Sequence, residues 1–234
     1  MGRRSRGPKP KIIVPLENKE LPLEAFPALQ HLGCKHGFVR RVPEIELSND
    51  KDVVVANLDH VHREARRNLG LLGHDFAIAR QIHGREVAVI DSPLDGDICF
   101  EDCDALITNQ RNVCLGVYVA DCCALYLVDR KERAIGLVHS GRKGTELKIA
   151  SNAIALMQQR FAVESEQLVA QLSPCIRPPQ YEVDFAAEIV QQCRAAGVKE
   201  IYDSGICTAC HLEAYYSYRA EKGRTGRMLA LLGL

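Results

Sequence analysis

The feature that most limits what this chain can fold into is a set of three short apolar runs followed by a helical stripe. Residues 113–120, 123–128 and 134–138 are each strand-sized. A charged turn, 129–133, separates the last two and predicts a hairpin. Over 145–161, Leu147, Ala150, Ile154, Met157 and Phe161 share one helical face. A second stripe begins at Asp50, where Val54, Leu58, Val61, Ala65 and Leu69 recur at helical steps and Gly70 or Gly73 can end the run. Residues 86–91 read as a strand, and 184–196 as a helix stopped by Gly197. Strands and helices alternate, yet at least one strand pair is antiparallel. The expected class is therefore α/β or α+β, a single domain with mixed β-sheet(s) flanked by helices.

Composition agrees with one sizeable core. The chain has 234 residues, 47% of them hydrophobic, and no repeat or low-complexity linker divides it. Residues 12–33, rich in Pro and Leu, read as an irregular entry segment. The 30 basic and 30 acidic side chains balance, which argues against a protein built to coat nucleic acid. Five of the basic groups fall in residues 1–11 (Arg3, Arg4, Arg6, Lys9 and Lys11) with no acid among them. Residues 1–20 are accordingly expected to be a basic, flexible terminal segment, with the domain spanning 21–234. That segment lacks the apolar stretch of a secretory signal, and no run approaches the roughly 20 apolar residues of a membrane helix. A cytoplasmic protein with no membrane partner is the expectation. Ten cysteines follow no small-domain disulfide spacing and read mostly as reduced, apolar side chains.

Reactive side chains gather at three strand ends: Gln81-Ile-His-Gly84, Ala120-Asp-Cys-Cys123 and His139-Ser-Gly-Arg-Lys-Gly144. The hairpin limits how they meet. A four-residue turn sets Cys122 opposite His139, whereas a five-residue turn sets Cys123 there. Directly opposed Cβ atoms lie about 4.5–5.5 Å apart. A zinc ion fits that gap, with Zn–S about 2.3 Å and Zn–N about 2.0–2.1 Å. Composition alone favours the reading of core thiols and surface histidines. A Cys–His hydrolase or deamidase, with His139 as base, is a second functional reading. Two His and one Cys fit an open zinc site better than a nucleophilic pair does.

The segments Gln81-Ile-His-Gly84, Asp104-Ala-Leu-Ile-Thr108, Ala120-Asp-Cys122, His139-Ser-Gly141 with Gly144, Cys207-Thr208, Tyr216-Ser-Tyr-Arg219 and Thr225-Gly-Arg-Met228 occur in one order. Together they resemble the laccase-domain, or polyphenol oxidoreductase, family from about His36 to the C-terminus. The resemblance implies a zinc-dependent purine nucleoside phosphorylase with adenosine deaminase side activity, acting on a purine nucleoside and inorganic phosphate. It also implies His83, Cys122 and His139 as metal ligands and catalytic residues. Gln81, Ser140 and Arg63 are then candidate substrate contacts, and Asp121 a supporting group beside the metal.

The chain departs from the family at Arg142-Lys143, where Trp-Arg is usual. It departs again at Val42-Pro-Glu-Ile-Glu46, in place of a glycine-rich segment, and at Val61-His-Arg63, where Asn-Arg is usual. The word laccase fits poorly. Multicopper chemistry needs several His-x-His pairs, and the eight histidines include one, His60-Val-His62, inside a helix where the rings point apart. Copper as an adventitious occupant of the zinc site remains chemically reasonable. Cys207-Thr-Ala-Cys-His211 matches haem-attachment spacing but coincides with the family's Cys-Thr segment. Arg219, Lys222, Arg224 and Arg227 form a basic cluster, read as a solvated face or as a phosphate contact. The non-enzymatic rival is a nucleoside-binding protein whose altered 139–144 turn has lost activity.

Overall fold

The computed structural model describes residues 21–234; the basic segment 1–20 lies outside the described residues. In chain order the elements are β1 (Leu23–Glu24), β2 (Lys35–Val39), α1 (Lys51–Asn68), β3 (Asp75–Ala79), β4 (Val87–Ile90), β5 (Ile98–Phe100), β6 (Ala105–Thr108) and β7 (Val113–Val119). There follow β8 (Cys123–Asp129), β9 (Ile135–Ser140), α2 (Arg142–Glu146), α3 (Ile149–Phe161), β10 (Leu168–Leu172), α4 (Phe185–Ala195), β11 (Glu200–Asp203) and β12 (Met228–Gly233). They build two mixed six-stranded sheets, in the orders β1-β2-β12-β7-β3-β5 and β11-β10-β8-β9-β6-β4. The expected class holds.

Three apolar clusters show how the layers stack. Phe38, Leu115, Val117, Ala230 and Leu232 of the first sheet meet Leu106, Tyr126, Val128 and Leu137 of the second. Leu125, Leu127 and Val138, on the other face of the second sheet, pack against α3 and α4 through Ile154, Met157 and Ile189. Val54, Leu58, Val61 and Ala65 of α1 cover the outer face of the first sheet. The order is α1, sheet, sheet, α3 with α4. Every residue of β7, β8 and β9 is buried. Their unbroken apolar character follows, because each face of each strand meets a core.

Two sequence expectations need correcting. The hairpin registers that set Cys122 or Cys123 opposite His139 are both wrong. Residues 129–134, more than either expected turn, separate the paired Val128 and Ile135, so Ala124 pairs with His139 and Cys123 with Ser140. The longer turn is stabilised by Asp129, whose carboxylate accepts from the Arg133 backbone N–H at 3.1 Å and from its guanidinium at 2.7 and 3.1 Å. The helix expected over 145–161 is broken in two. Lys148 adopts a left-handed φ of 61°, and Leu147 is exposed rather than on the buried face. Gln192 of α4 donates to the Thr145 carbonyl at 2.7 Å, so the break has a tertiary partner that local periodicity cannot report. By contrast, α1 and α4 start where expected, each capped by an aspartate, Asp50 and Asp184, accepting from first-turn N–H groups.

Candidate metal centre

The site forms where chain segments leave the two sheets on one side. β7 ends at Val119, and Ala120-Asp121-Cys122 carries the chain from the first sheet to β8 in the second. Asp121 turns this corner with a φ of 82°. His83 lies beyond β3, and His139 is the last residue but one of β9. Their ligating atoms and Cys122 Sγ all lie within 4.8 Å of one another. The two imidazole rings meet edge to face with centroids 4.9 Å apart. Cys122 is two residues before Ala124, the partner of His139, so it reaches the histidine diagonally on one face.

Asp104, fully buried between β5 and β6, organises both histidines. Its carboxylate accepts from the backbone N–H groups of Ile82, His83 and Gly84 at 3.2, 2.9 and 2.7 Å. Three successive N–H groups converging on one anion wrap the chain tightly, and His83 takes a φ of 59°. The same carboxylate meets His139 Nδ1 at 2.8 Å, and the Asp104 carbonyl accepts from His139 N–H at 2.7 Å. With Nδ1 so engaged, Nε2 is the nitrogen left for the cluster. Gly141 completes the cradle. A Cβ there would stand 2.5 Å from Cys122 Sγ, so a glycine leaves the room the sulfur occupies.

Electrostatics set these groups apart from ordinary buried ones. Burial alone would raise the Cys122 thiol, but the charge and hydrogen bond of His139, and then those of His83, outweigh it and lower the thiol to about 6. Burial would lower His139, but Cys122 and Asp104 raise it to about 9. Asp104 itself is held below the usual carboxylate range, because His139 and the N–H groups of Gly84 and Ile82 outweigh its burial. Two nitrogens and an easily ionised sulfur around one point form a donor set that could hold a metal ion. The donors fit zinc: borderline-soft N and S atoms with a backing carboxylate on one histidine.

The cluster opens into a cleft of about 930 Å³. Tyr118, Tyr181, Phe185 and Tyr218 supply aromatic walls, and Lys51, Lys143, Arg219, Lys222 and Arg227 supply positive charge. Gln81 lines the cleft as expected, its amide donating to the Tyr118 carbonyl at 2.7 Å and accepting from Lys51 at 3.1 Å. Asp121 works as a tie: its two oxygens accept from the Thr208 hydroxyl and the Arg219 N–H, each at 2.7 Å. The dispersed segments around 207 and 219 are thereby joined to the metal-ligand corner. Arg142, one of the residues in place of the family's Trp-Arg, pairs with Glu146 at 2.9 Å on the cleft rim.

Ser140 and Arg63 are not brought into the site. Ser140 follows His139 and so faces the opposite side of the strand, where its hydroxyl meets Thr145 Oγ1 at 2.8 Å. Arg63 stands on the exposed side of α1, paired with Asp59 at 3.0 Å. Sequence reasoning missed Asp104 and Lys51 as parts of the site. The Asp at the head of Asp104-Ala-Leu-Ile-Thr108 was visible as a motif residue, but nothing local reveals that His139 comes to it. His62, half of the His-x-His pair, is buried against the Tyr118 ring at 5.4 Å, whereas His60 is exposed. Among the described residues, the His83–Cys122–His139 group is the His/Cys cluster with ligating geometry.

Fold and site together define a two-sheet α/β protein with a His–Cys–His cluster, able to hold a metal ion, in an aromatic, cationic cleft. The chain belongs to the multi-copper polyphenol oxidoreductase laccase family, whose family model matches residues 44–189 and 182–234. It is 32% identical over 192 residues to a protein of Deinococcus radiodurans named purine nucleoside phosphorylase, covering 71% of this chain and 73% of the relative. The purine nucleoside phosphorylase YlmD of Geobacillus stearothermophilus is 26% identical over 246 residues, covering 88% and 90%. The crystal structure of YlmD from that organism superposes with a TM-score of 0.76 at 23% identity, covering 89% of this chain and 93% of that one. A Bacillus licheniformis protein, YfiH, superposes with a TM-score of 0.75 at 22% identity, covering 86% and 92%, and shares the fold. No helix among the described residues is long and apolar enough to cross a membrane.

Proposed function

We propose that this protein is a zinc-dependent purine nucleoside phosphorylase, converting adenosine or inosine and phosphate to free base and ribose 1-phosphate, and that it also deaminates adenosine. The observation that carries the reading is the convergence of His83, Cys122 and His139 in a cleft walled by aromatic rings and cations. The names of the relatives support the same chemistry. His83, Cys122 and His139 would hold a zinc ion, which would supply a Lewis acid at the cleft.

The protein's own groups supply the rest. Asp104 fixes the ring of His139 and the backbone of His83, so both ligands are positioned before substrate arrives. Tyr118, Tyr181, Phe185 and Tyr218 offer faces on which a purine stacks. Gln81 offers its amide at the same wall. In phosphorolysis a phosphate oxygen bonds to C1′ as the C1′–N9 bond breaks. The electron pair leaves with the purine, and the proton lost by hydrogen phosphate ends on the base. In deamination water adds at C6 and ammonia leaves, so the two reactions differ in nucleophile. The ten cysteines are all free, in keeping with the reducing cytoplasm in which we place the enzyme.

The test is product analysis with adenosine or inosine, with and without phosphate, using His139→Ala as the blank. Phosphate-dependent release of base with ribose 1-phosphate is expected, and deamination persists without phosphate. Base release independent of phosphate would mark a hydrolase. No turnover of any purine nucleoside by zinc-loaded protein would leave a nucleoside-binding protein. A second reading has one observation in its favour. Cys122, His139 and Asp104 follow the order nucleophile, base, orienting acid, with the thiol lowered to about 6. That metal-free hydrolase is eliminated by stoichiometric zinc together with loss of turnover on chelation.

A further inference from the structure

Lys51 and Arg227 come from distant parts of the chain, yet both line the cleft that holds Cys122. Lys51 opens α1; its ammonium donates to Gln81 Oε1 at 3.1 Å and lies 6.0 Å from the centre of the Tyr118 ring. Arg227 precedes β12; its Nη1 donates to the Gly226 and Thr225 carbonyls at 2.8 and 3.4 Å, and its guanidinium lies 5.9 Å from the Tyr218 ring. Among the described residues neither makes an ion pair; of the other cleft cations, Arg142 and Arg219 are matched by Glu146 and Glu182 at 2.9 and 3.0 Å, and Lys143 and Lys222, also without an ion pair, are exposed where Lys51 and Arg227 are half-buried. The charge of Asp121 reaches Arg227 through space, but Asp121 makes no ion pair with it; its oxygens accept instead from the Thr208 hydroxyl and the Arg219 N–H.

Burial lowers both cations, and for Lys51 the charge of Arg227 lowers it further. Two cations that face one cleft and are partly out of water repel each other, and an anion bound in that cleft offsets the cost. Arginine brings a planar fork of donors and lysine a compact charge, a combination suited to a tetrahedral oxyanion.

We infer that Lys51 and Arg227 form the subsite that takes inorganic phosphate, an assignment that rests on the phosphorylase reading for its role in turnover. The basic cluster near the C-terminus is thereby divided. Arg227 belongs to the subsite, Arg219 is matched by Glu182, and Arg224 instead donates to the Leu47 carbonyl at an exposed position outside the cleft lining.

The test titrates inorganic phosphate into zinc-loaded protein by calorimetry, without nucleoside, so binding is read independently of turnover. Lys51→Met and Arg227→Gln should each weaken phosphate binding by about tenfold or more, the size expected for one lost charge-assisted hydrogen bond. Arg227→Lys should recover part of the loss, and Arg224→Ala should change nothing. In turnover the phosphate KM should rise in the same two variants, with Arg224→Ala keeping the phosphate KM of the unsubstituted protein. Lys51→Met keeps the test open if Arg227→Gln fails to fold. Unchanged phosphate affinity in both variants, equal weakening by Arg224→Ala, or no phosphate binding by the unsubstituted protein overturns the subsite. Phosphate held by this pair without any base release would uphold the subsite and sink the phosphorylase reading. Phosphate-dependent base release with unaltered phosphate KM in both variants would do the reverse.

Discussion

The β8–β9 hairpin shows one face to the opposing sheet and the other to α3 and α4, and neighbouring residues meet opposite fates on the two. Cys122 and His139 lie on the first face, at the cleft, with thiol and imidazole shifted towards each other's ionised partner. Cys123 and Ser140, one residue on, face the helices. There burial, and then Cys175, push the Cys123 thiol well above its ordinary value. Each face carries a cysteine; the surroundings differ. A thiol among apolar side chains stays protonated, whereas a thiol between two imidazoles, one backed by a carboxylate, ionises and can bind metal. The period-two alternation of a strand, more than the presence of Cys or His, decides where chemistry can occur.

The largest effect that would break this contrast lies at the ligands. His83→Ala, Cys122→Ala and His139→Ala should each lose most bound zinc and nearly all turnover, since each removes one of three protein bonds. Zinc content by elemental analysis, alongside product assays, checks this. Near-normal zinc in Cys122→Ala would show that the sulfur is not a ligand.

Next in size is the group behind the ligands. Asp104→Asn removes the negative charge facing His139 Nδ1 and puts an amide where three backbone N–H groups need acceptors. Zinc affinity, measured by chelator competition, should fall by about 10–100-fold. If affinity is unchanged and only the melting temperature falls, Asp104 is a structural tie and no more.

A pH measurement sharpens the same comparison without changing metal content. In zinc-free protein, alkylation of Cys122 should follow an apparent pKa of about 6, so the thiolate dominates at neutral pH and reactivity falls as pH drops through 6. Cys123 should stay unreactive across that range because its thiol is pushed up. His139→Ala removes the chief groups that lower Cys122 and leaves burial, so the profile should move to higher pH. Peptide-resolved mass spectrometry after brief alkylation separates the two thiols. A Cys122 profile that does not move in His139→Ala would sever the electrostatic link between them.

Much of this arrangement can be read from the residues in order, and the exceptions share a cause. The strand runs, the stripe of α1 and the Asp184 start of α4 depend on local pattern, and they are found where pattern places them. The hairpin register depends on the longer turn closed by the Asp129–Arg133 fork, which sets Val128 opposite Ile135 and so Ala124 opposite His139. The break at Lys148 depends on Gln192, more than forty positions along the chain. The ligand trio resembles that of a family, so it was legible as motif, but not from hairpin geometry, which pointed to direct opposition instead of a diagonal. Asp104 and Lys51 act through partners brought in by sheet topology, and no spacing rule connects them to His139 or Arg227. Ser140 sits beside a ligand in sequence and on the wrong face in space.

The smallest effect is expected at Cys123→Ala. Cys123 is fully buried among Leu125, Leu127 and Val138 on the helix-facing side, with its sulfur 4.0 Å from the Ser173 carbonyl. Removing the sulfur forfeits burial of one large atom and leaves a small cavity, which should cost about 1–2 kcal/mol. For a chain of this size that corresponds to a fall of about 2–8 °C in Tm. Zinc content, phosphate binding and turnover should stay as in the unsubstituted protein, because no ligand, tie or cation of the cleft touches that face. The measurement that decides is thermal unfolding paired with zinc analysis on the same sample. Loss of zinc from Cys123→Ala with retention in Cys122→Ala would mean that the two faces had been assigned the wrong way round. A lower Tm with full zinc is what two separate cores on either side of one hairpin require.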